Sequence, residues 1–170
     1  TAFYKVGWDA TGDGDVAVET VSPFEIYPED LAAADMADQN SLIHARAVPV
    51  ERIYATYGVE VAAESLRGVD GAPLEGCALV IERYTRPTGD GCGALTVGAN
   101  GKILYDDALP YRCDPGFAVG LPFVKQDCIA RPDCFFGVSP VERVIPIQRA
   151  YNAVKNRKHE LINRIAAGIV

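Results

Sequence analysis

The stretch SPVERVIPIQRAYNAVKNRKHELINRIA, residues 139 to 166, constrains this chain most, because its residues commit to one long helix. Ser139 stands as the N-cap, Pro140 fills the first helical position and Glu142 follows three residues after the cap, a complete capping box. Pro146 lacks an N–H and crowds the carbonyl of Glu142, so the pattern predicts a kink there or a restart with Pro146 as the new first residue. No further glycine or proline occurs before Gly168. Residues 146 to 166 would then span ~30 Å at ~1.5 Å per residue. Ile147, Tyr151, Val154, Leu161, Ile162 and Ile165 form an apolar stripe that Lys158 interrupts. The other side carries Arg149, Asn152, Lys155, Asn156, Arg157, His159, Asn163 and Arg164. Two uses fit this pattern: a helix packed on its own sheet with a solvated polar face, or an inter-subunit helix presenting cations and amides to nucleic acid.

Charge sharpens the choice without making it. The net charge is −7, yet residues 139 to 170 hold six basic residues against two acidic ones, a local +4 that leaves −11 on the other 138. A cationic segment on an acidic body suggests a polyanion or an acidic partner for that segment. With 170 residues and 49% apolar content, the chain can bury the core of one ordinary domain. No apolar run approaches the ~20 residues that cross a bilayer, and no basic-then-apolar signal segment opens the chain, which reads as soluble and intracellular. TAFYKV begins inside a strand pattern without a Met, and the chain stops at the end of a helix pattern, so it reads as a piece of a longer polypeptide. Cys77, Cys92, Cys113, Cys128 and Cys134 are widely spaced, with no CxxC pair and no Cys/His cluster. Reduced, buried thiols are expected, with neither zinc nor a disulfide framework.

Upstream of the helix the chain predicts strands at 2–8, 16–21, 24–27, 41–48, 77–86, 93–98, 102–106 and 121–128. Alternation in SLIHARAV puts Ile43, Ala45 and Ala47 on one face and Leu42, His44 and Arg46 on the other, with His44 expected at the strand surface. Asn100-Gly101 in GANG predicts a tight hairpin. TGDGCG, residues 88 to 93, lacks the GK[ST] and following helix of a phosphate loop and reads as a turn. A short helix is expected where Val50, Ile53, Tyr54 and Tyr57 follow Pro49 at helical spacing and Gly58 stops the run, its aromatics facing the core. A weaker helix is expected at 29–38. The fold class is therefore α+β: a β-rich body with short helices, then one long C-terminal helix.

WDATGDGDV, residues 8 to 16, places Asp9, Thr11, Asp13 and Asp15 at alternate positions with Gly14 sixth, like an EF-hand calcium loop. Thr20 stands where that loop needs a bidentate Glu, and VAVETV alternates as a strand where a helix should leave. A hairpin turn is favoured, with a calcium-dependent binding module using Asp9, Asp13 and Asp15 as the alternative function. Neither of the two histidines lies in a catalytic motif, and no Ser-His-Asp, Cys-His or paired-carboxylate arrangement offers itself.

SPFEIYP (22–28), HARAVPVERIYATYG (44–58), LPFVKQ (121–126) and above all FFGVSPVERVIPIQRAYNAVKNRKHELINR (135–164) closely resemble portal proteins of tailed bacteriophages. The resemblance runs along nearly the whole chain. It implies a structural protein, not an enzyme, with no catalytic residues and no cofactor. Portal proteins form a dodecameric ring at one capsid vertex of the virion, assembled in the bacterial host cytoplasm or encoded by a prophage, and double-stranded DNA is driven through that ring. The implied partners are further copies of the chain, DNA held without sequence readout, the terminase large subunit, the head–tail adaptor, and capsid and scaffold proteins, with no membrane. On this resemblance residues 1–137 are a β-rich wing and 138–170 the first stem helix, with the clip and second stem helix lying elsewhere. Arg149, Lys155, Arg157, Lys158 and Arg164 become candidates for the channel surface or for the contact between subunits.

Overall fold

Alternating side chains along antiparallel strands decide which faces of this protein meet. The computed structural model describes residues 1–9, 13–68, 70–87, 93–110 and 120–168. Its strands are Ala2–Asp9 (β1), Asp15–Val21 (β2), Ile26–Pro28 (β3), Ser41–Pro49 (β4), Leu66–Arg67 (β5), Pro73–Leu74 (β6), Cys77–Thr85 (β7), Ala94–Ala99 (β8), Lys102–Ala108 (β9), Phe123–Gln126 (β10), Ile129–Arg131 (β11) and Cys134–Val138 (β12). The helices are Val50–Tyr57 (α1) and Pro140–Ala166 (α2). The architecture is α+β. One antiparallel sheet runs β3-β4-β7-β8-β9 and another β10-β1-β2, with two-stranded pairs β5-β6 and β11-β12 beside them. Four of these strands, β5, β6, β11 and β12, are absent from the sequence-based expectations, being two to five residues long with no sustained alternation.

Residues opposite one another in an antiparallel ladder point to the same face. In the five-stranded sheet Ile26, His44, Glu82 and Val97 form one such rung, and Leu42, Tyr84 and Leu95 form the next. All seven are buried. From the three-stranded sheet Phe123 sets its ring edge-on to His44 at 5.6 Å and to Tyr84 at 5.3 Å, and Phe3 stacks on Phe135 of β12 at 5.7 Å. The core therefore lies where the two sheets and β12 converge, each large apolar side chain contributing about 1.5–3 kcal/mol.

His44 is a correction to the expected surface position. The alternation in β4 is as predicted, but Leu42 and His44 are on the buried face, while Ala47 is exposed. What turns the strand inward is its register against β7, which supplies Glu82 directly opposite His44.

The local punctuation acts as expected at two places. Asn100 and Gly101 have φ of 45° and 72°, both left-handed, in a two-residue turn that closes β8 onto β9. Gly58 ends α1 with φ 68°, its N–H donating to the Tyr54 carbonyl at 2.8 Å. Ile53 is buried and Tyr57 packs against the core, but Tyr54 is more than half exposed and does not join it.

The helix expected at 29–38 does not form; only Met36–Asp38 make a 3-10 turn. Side chains bind the backbone of this stretch instead, including the Asp30 carbonyl that a helix would pair with the Ala34 N–H. Gln39, buried, accepts from the Asp30 N–H at 3.0 Å and donates to the Asp30 carbonyl at 2.5 Å, while Arg86 donates to the carbonyls of Met36 and Ala37.

β12 ends at Val138, and Ser139 caps α2 through its Oγ, which accepts from the Val141 N–H at 3.2 Å. The helix runs through Pro146 without restarting. Every residue of this segment is exposed, so water can bond the Glu142 carbonyl that Pro146 leaves without its partner. Cys77 and Cys134 are half-buried free thiols and Cys128 an exposed one, so the expected burial of cysteines fails at Cys128. Cys92, Cys113 and the TGDGC turn lie outside the described residues. Among the described residues no helix is long and apolar enough to cross a membrane.

Candidate functional site

Helix α2 has 27 residues and buries none of them. Its apolar side chains are as open as its polar ones: Ile147, Tyr151, Val154, Leu161, Ile162 and Ile165 are all about half exposed or more. At about 100° per residue the five candidate cations do not gather on one face. Arg157 and Arg164 share one flank of the apolar stripe, Lys155 lies on the other, Lys158 falls within it and Arg149 opposite it. Two are held by helix neighbours: Arg164 pairs with Glu160 at 2.6 Å, and the Lys155 ammonium sits 5.3 Å from the centre of the Tyr151 ring. The result is a helix with an apolar seam bordered by cations on both sides.

The base of that helix is anchored through β12. Lys125 donates to the carbonyls of Phe135, at 2.8 Å, and Ala34, and pairs with Asp127 at 2.8 Å. Asp127 accepts from Thr1 Oγ1 at 2.5 Å, and Thr1 Oγ1 in turn accepts from the Gly137 N–H at 2.8 Å. Burial would push the Asp127 carboxyl up, but hydrogen bonds from Lys125 and Thr1 hold it below its ordinary value. Gly137 is needed for this closeness, since a Cβ there would meet the Ile129 carbonyl oxygen at 2.6 Å and the Asp127 side chain at 2.7 Å.

A second cluster, which the sequence-based analysis missed, lies inside the body. Glu82 Oε2 receives Lys5 Nζ from β1 at 2.6 Å, Tyr84 Oη at 2.9 Å and His44 Nδ1 at 3.1 Å. His44 Nε2 faces Glu25 at 3.5 Å. Burial alone would raise the Glu82 carboxyl; the hydrogen bond from His44, the charge and hydrogen bond of Lys5 and the Tyr84 hydroxyl outweigh it and bring it to about 2. The signal was present in CALVIERYT, where Glu82 shares the parity of Ala78, Val80 and Tyr84, so a carboxylate was due on the apolar face. The cluster ties β1 to β4 and β7, and so holds the two sheets in register against each other.

The Asp9, Asp13 and Asp15 candidates sit at the tip of the β1-β2 hairpin, where Asp9 and Asp15 face each other as the last ladder pair. Asp15 Oδ1 accepts the Val16 N–H at 2.7 Å. Gly14 has φ 83°, and the Trp8 indole lies over it, so close that a Cβ there would clash with the ring. Thr11 and Gly12 lie outside the described residues. Among the described residues no group of three or more His, Cys, Asp or Glu side chains is placed to hold a metal ion. No protein-family model matches the chain, and no curated protein matches it either.

Proposed function

We propose that the chain is part of the portal subunit of a tailed bacteriophage, a ring-forming structural protein of the virion through which double-stranded DNA passes. The observation that carries this reading is α2: an anchored helix of 27 residues with an apolar seam and no buried residue. Left in water, six large apolar side chains forgo most of the ~1.5–3 kcal/mol that each gains on full burial. Further copies of the same helix, packed side by side around an axis, supply the missing cover. The residues of this segment are also those that most closely resemble the portal pattern.

The charge distribution supports a conduit. A duplex that must slide cannot be held by base-specific contacts or by many tight phosphate clamps, and a few cations spaced along a helix attract it without fixing its register. Arg149, opposite the seam, faces away from packed neighbours and is the first candidate for the channel surface. Arg157, Lys155 and Lys158 border or interrupt the seam and belong with the contact between subunits. The acidic body, −11 over residues 1–138, repels DNA and leaves the helices as the favourable path. Negative-stain electron microscopy of the complete protein tests the proposal. Closed rings with a central channel are expected, and a complete protein that stays monomeric at every concentration and salt would overturn it.

A further inference from the structure

The sheet β10-β1-β2 carries large apolar side chains on both of its faces, and the body covers only one. Phe3, Val21 and Phe123 turn inward and are buried. On the outer face the ladder sets Tyr4 opposite Val124, Val6 opposite Val18 and Trp8 opposite Val16. Val16, Val18, Val124 and Trp8 are each more than half exposed, and Val6 is 36% exposed. A half-covered antiparallel sheet ordinarily turns polar side chains to water, so a contiguous apolar face marks a contact surface. No charged side chain shares that face among the paired residues of these strands. Charge begins only at the hairpin tip, where Asp13 and Asp15 are exposed. We propose that this face docks on helix α2 of a second copy of the chain, along the seam from Ile147 to Lys158.

Charge selects the occupant. Two such faces meeting each other would bring two acidic tips and two acidic bodies together, which like-charge repulsion opposes. Helix α2 offers the complement, an exposed apolar seam whose cations Lys155, Arg157 and Lys158 border or enter it. Length agrees with charge. From Tyr4 to Trp8 the strand covers about 13 Å at ~3.3 Å per residue. With Tyr4 set on Ile147, the same distance along a helix at ~1.5 Å per residue brings Trp8 level with residues 154 to 156. The acidic tip then reaches Lys158, while Tyr151 and Val154 lie against the valines. Leu161, Ile162 and Ile165 stay free to meet neighbouring helices. Three strands at ~4.8 Å spacing make a footprint on the order of 130 Å², well short of the ~800 Å² per partner of a stable complex. The contact therefore acts together with others repeated around an assembly. It rests on the reading of the chain as a ring subunit and adds to it the surface that meets the helix.

Photocrosslinking of the complete protein tests the contact. Trp8 is replaced by p-benzoylphenylalanine, isotope-labelled and unlabelled subunits are co-assembled, and the irradiated product is digested and read by mass spectrometry. Mixed labelled–unlabelled peptides joining position 8 to residues 151–162 are expected. Val18→Lys, an exposed change on the same face, should lower their yield about tenfold without moving the melting temperature of the body. Asp13→Lys should lower it about twofold to fivefold, and Lys158→Glu in the same chain should restore it, which a merely structural effect of either change would not do. Electron microscopy of the same samples separates this contact from the ring. Rings whose position 8 gives no mixed product with α2 would overturn the docking and leave the ring standing. Mixed product with α2 in samples without rings would uphold the docking and count against the ring. Products confined to one copy, or a yield indifferent to Val18→Lys, would also overturn it.

Discussion

Glu82 is a carboxylate that the interior tolerates only because three donors converge on one of its oxygens. Its pKa is about 2 in the folded protein against an ordinary 4.5. Between those values the unfolded chain binds the proton and the folded one does not, so stability is present above the upper value and is lost as pH falls toward the lower. That gap corresponds to on the order of 3 kcal/mol. Urea unfolding at pH 7, 5 and 3 should show the parent losing stability mainly below pH 5. Glu82→Gln should start about 3 kcal/mol lower at pH 7, with Lys5 left without its counter-charge, and change less on acidification. Equal acid sensitivity in both proteins would mean that the network is not what holds the sheets together. Gly137→Ala is a second test at this scale. Its Cβ would press on the Ile129 carbonyl at 2.6 Å, so a loss of about 1–3 kcal/mol in the same urea assay is expected, along with release of the Thr1 contact.

For the elements, the long helix offers two opposed substitutions. Ser139→Ala removes the cap that accepts the Val141 N–H and should cost α2 about 1 kcal/mol, whereas Pro146→Ala restores a donor to the Glu142 carbonyl and should stiffen the first two turns. Hydrogen exchange of residues 140–150 reads both, faster in the first variant and slower in the second. These effects are local, and so were the signals that made the elements legible. The capping box, the Asn100-Gly101 turn and the Gly58 stop each lie within a few residues of what they govern. All eight strands expected from alternation or apolar runs have counterparts, although β3 starts two residues later because Pro23–Glu25 form a 3-10 turn. What was not legible depends on partners far along the chain. His44 meets Glu82 and Lys5 only through the registers of β4 with β7 and the approach of β1, and the apparent helix at 29–38 yields to Arg86 and Gln39. The extent of the long helix was foreseen, and of the two outcomes expected at Pro146 the restart does not occur, because a proline that would break a buried helix costs less where water reaches the freed carbonyl.

At the scale of the whole molecule, an acidic two-sheet body carries a cationic helix fixed at one end by Lys125, Asp127 and Thr1 and bare along its length. That division makes folding and assembly separable. Val154→Asp or Leu161→Asp introduces a charge into the seam, yet neither side chain touches the core, so the melting temperature of the body should not move by more than a degree or two. If the proposed ring forms, the same changes in the complete protein should abolish it, because each seam contact would then bury an unpaired carboxylate beside a neighbouring helix. Arg149→Glu separates the two surfaces of the helix further. It lies opposite the seam, so rings should still form, while the salt-dependent retention of double-stranded DNA by those rings should fall and its dependence on salt become shallower. If Val154→Asp left rings intact and Arg149→Glu dispersed them, the seam and the channel would be on the opposite sides from those assigned, since a helix in a closed ring can bury only one of its two faces against its neighbours.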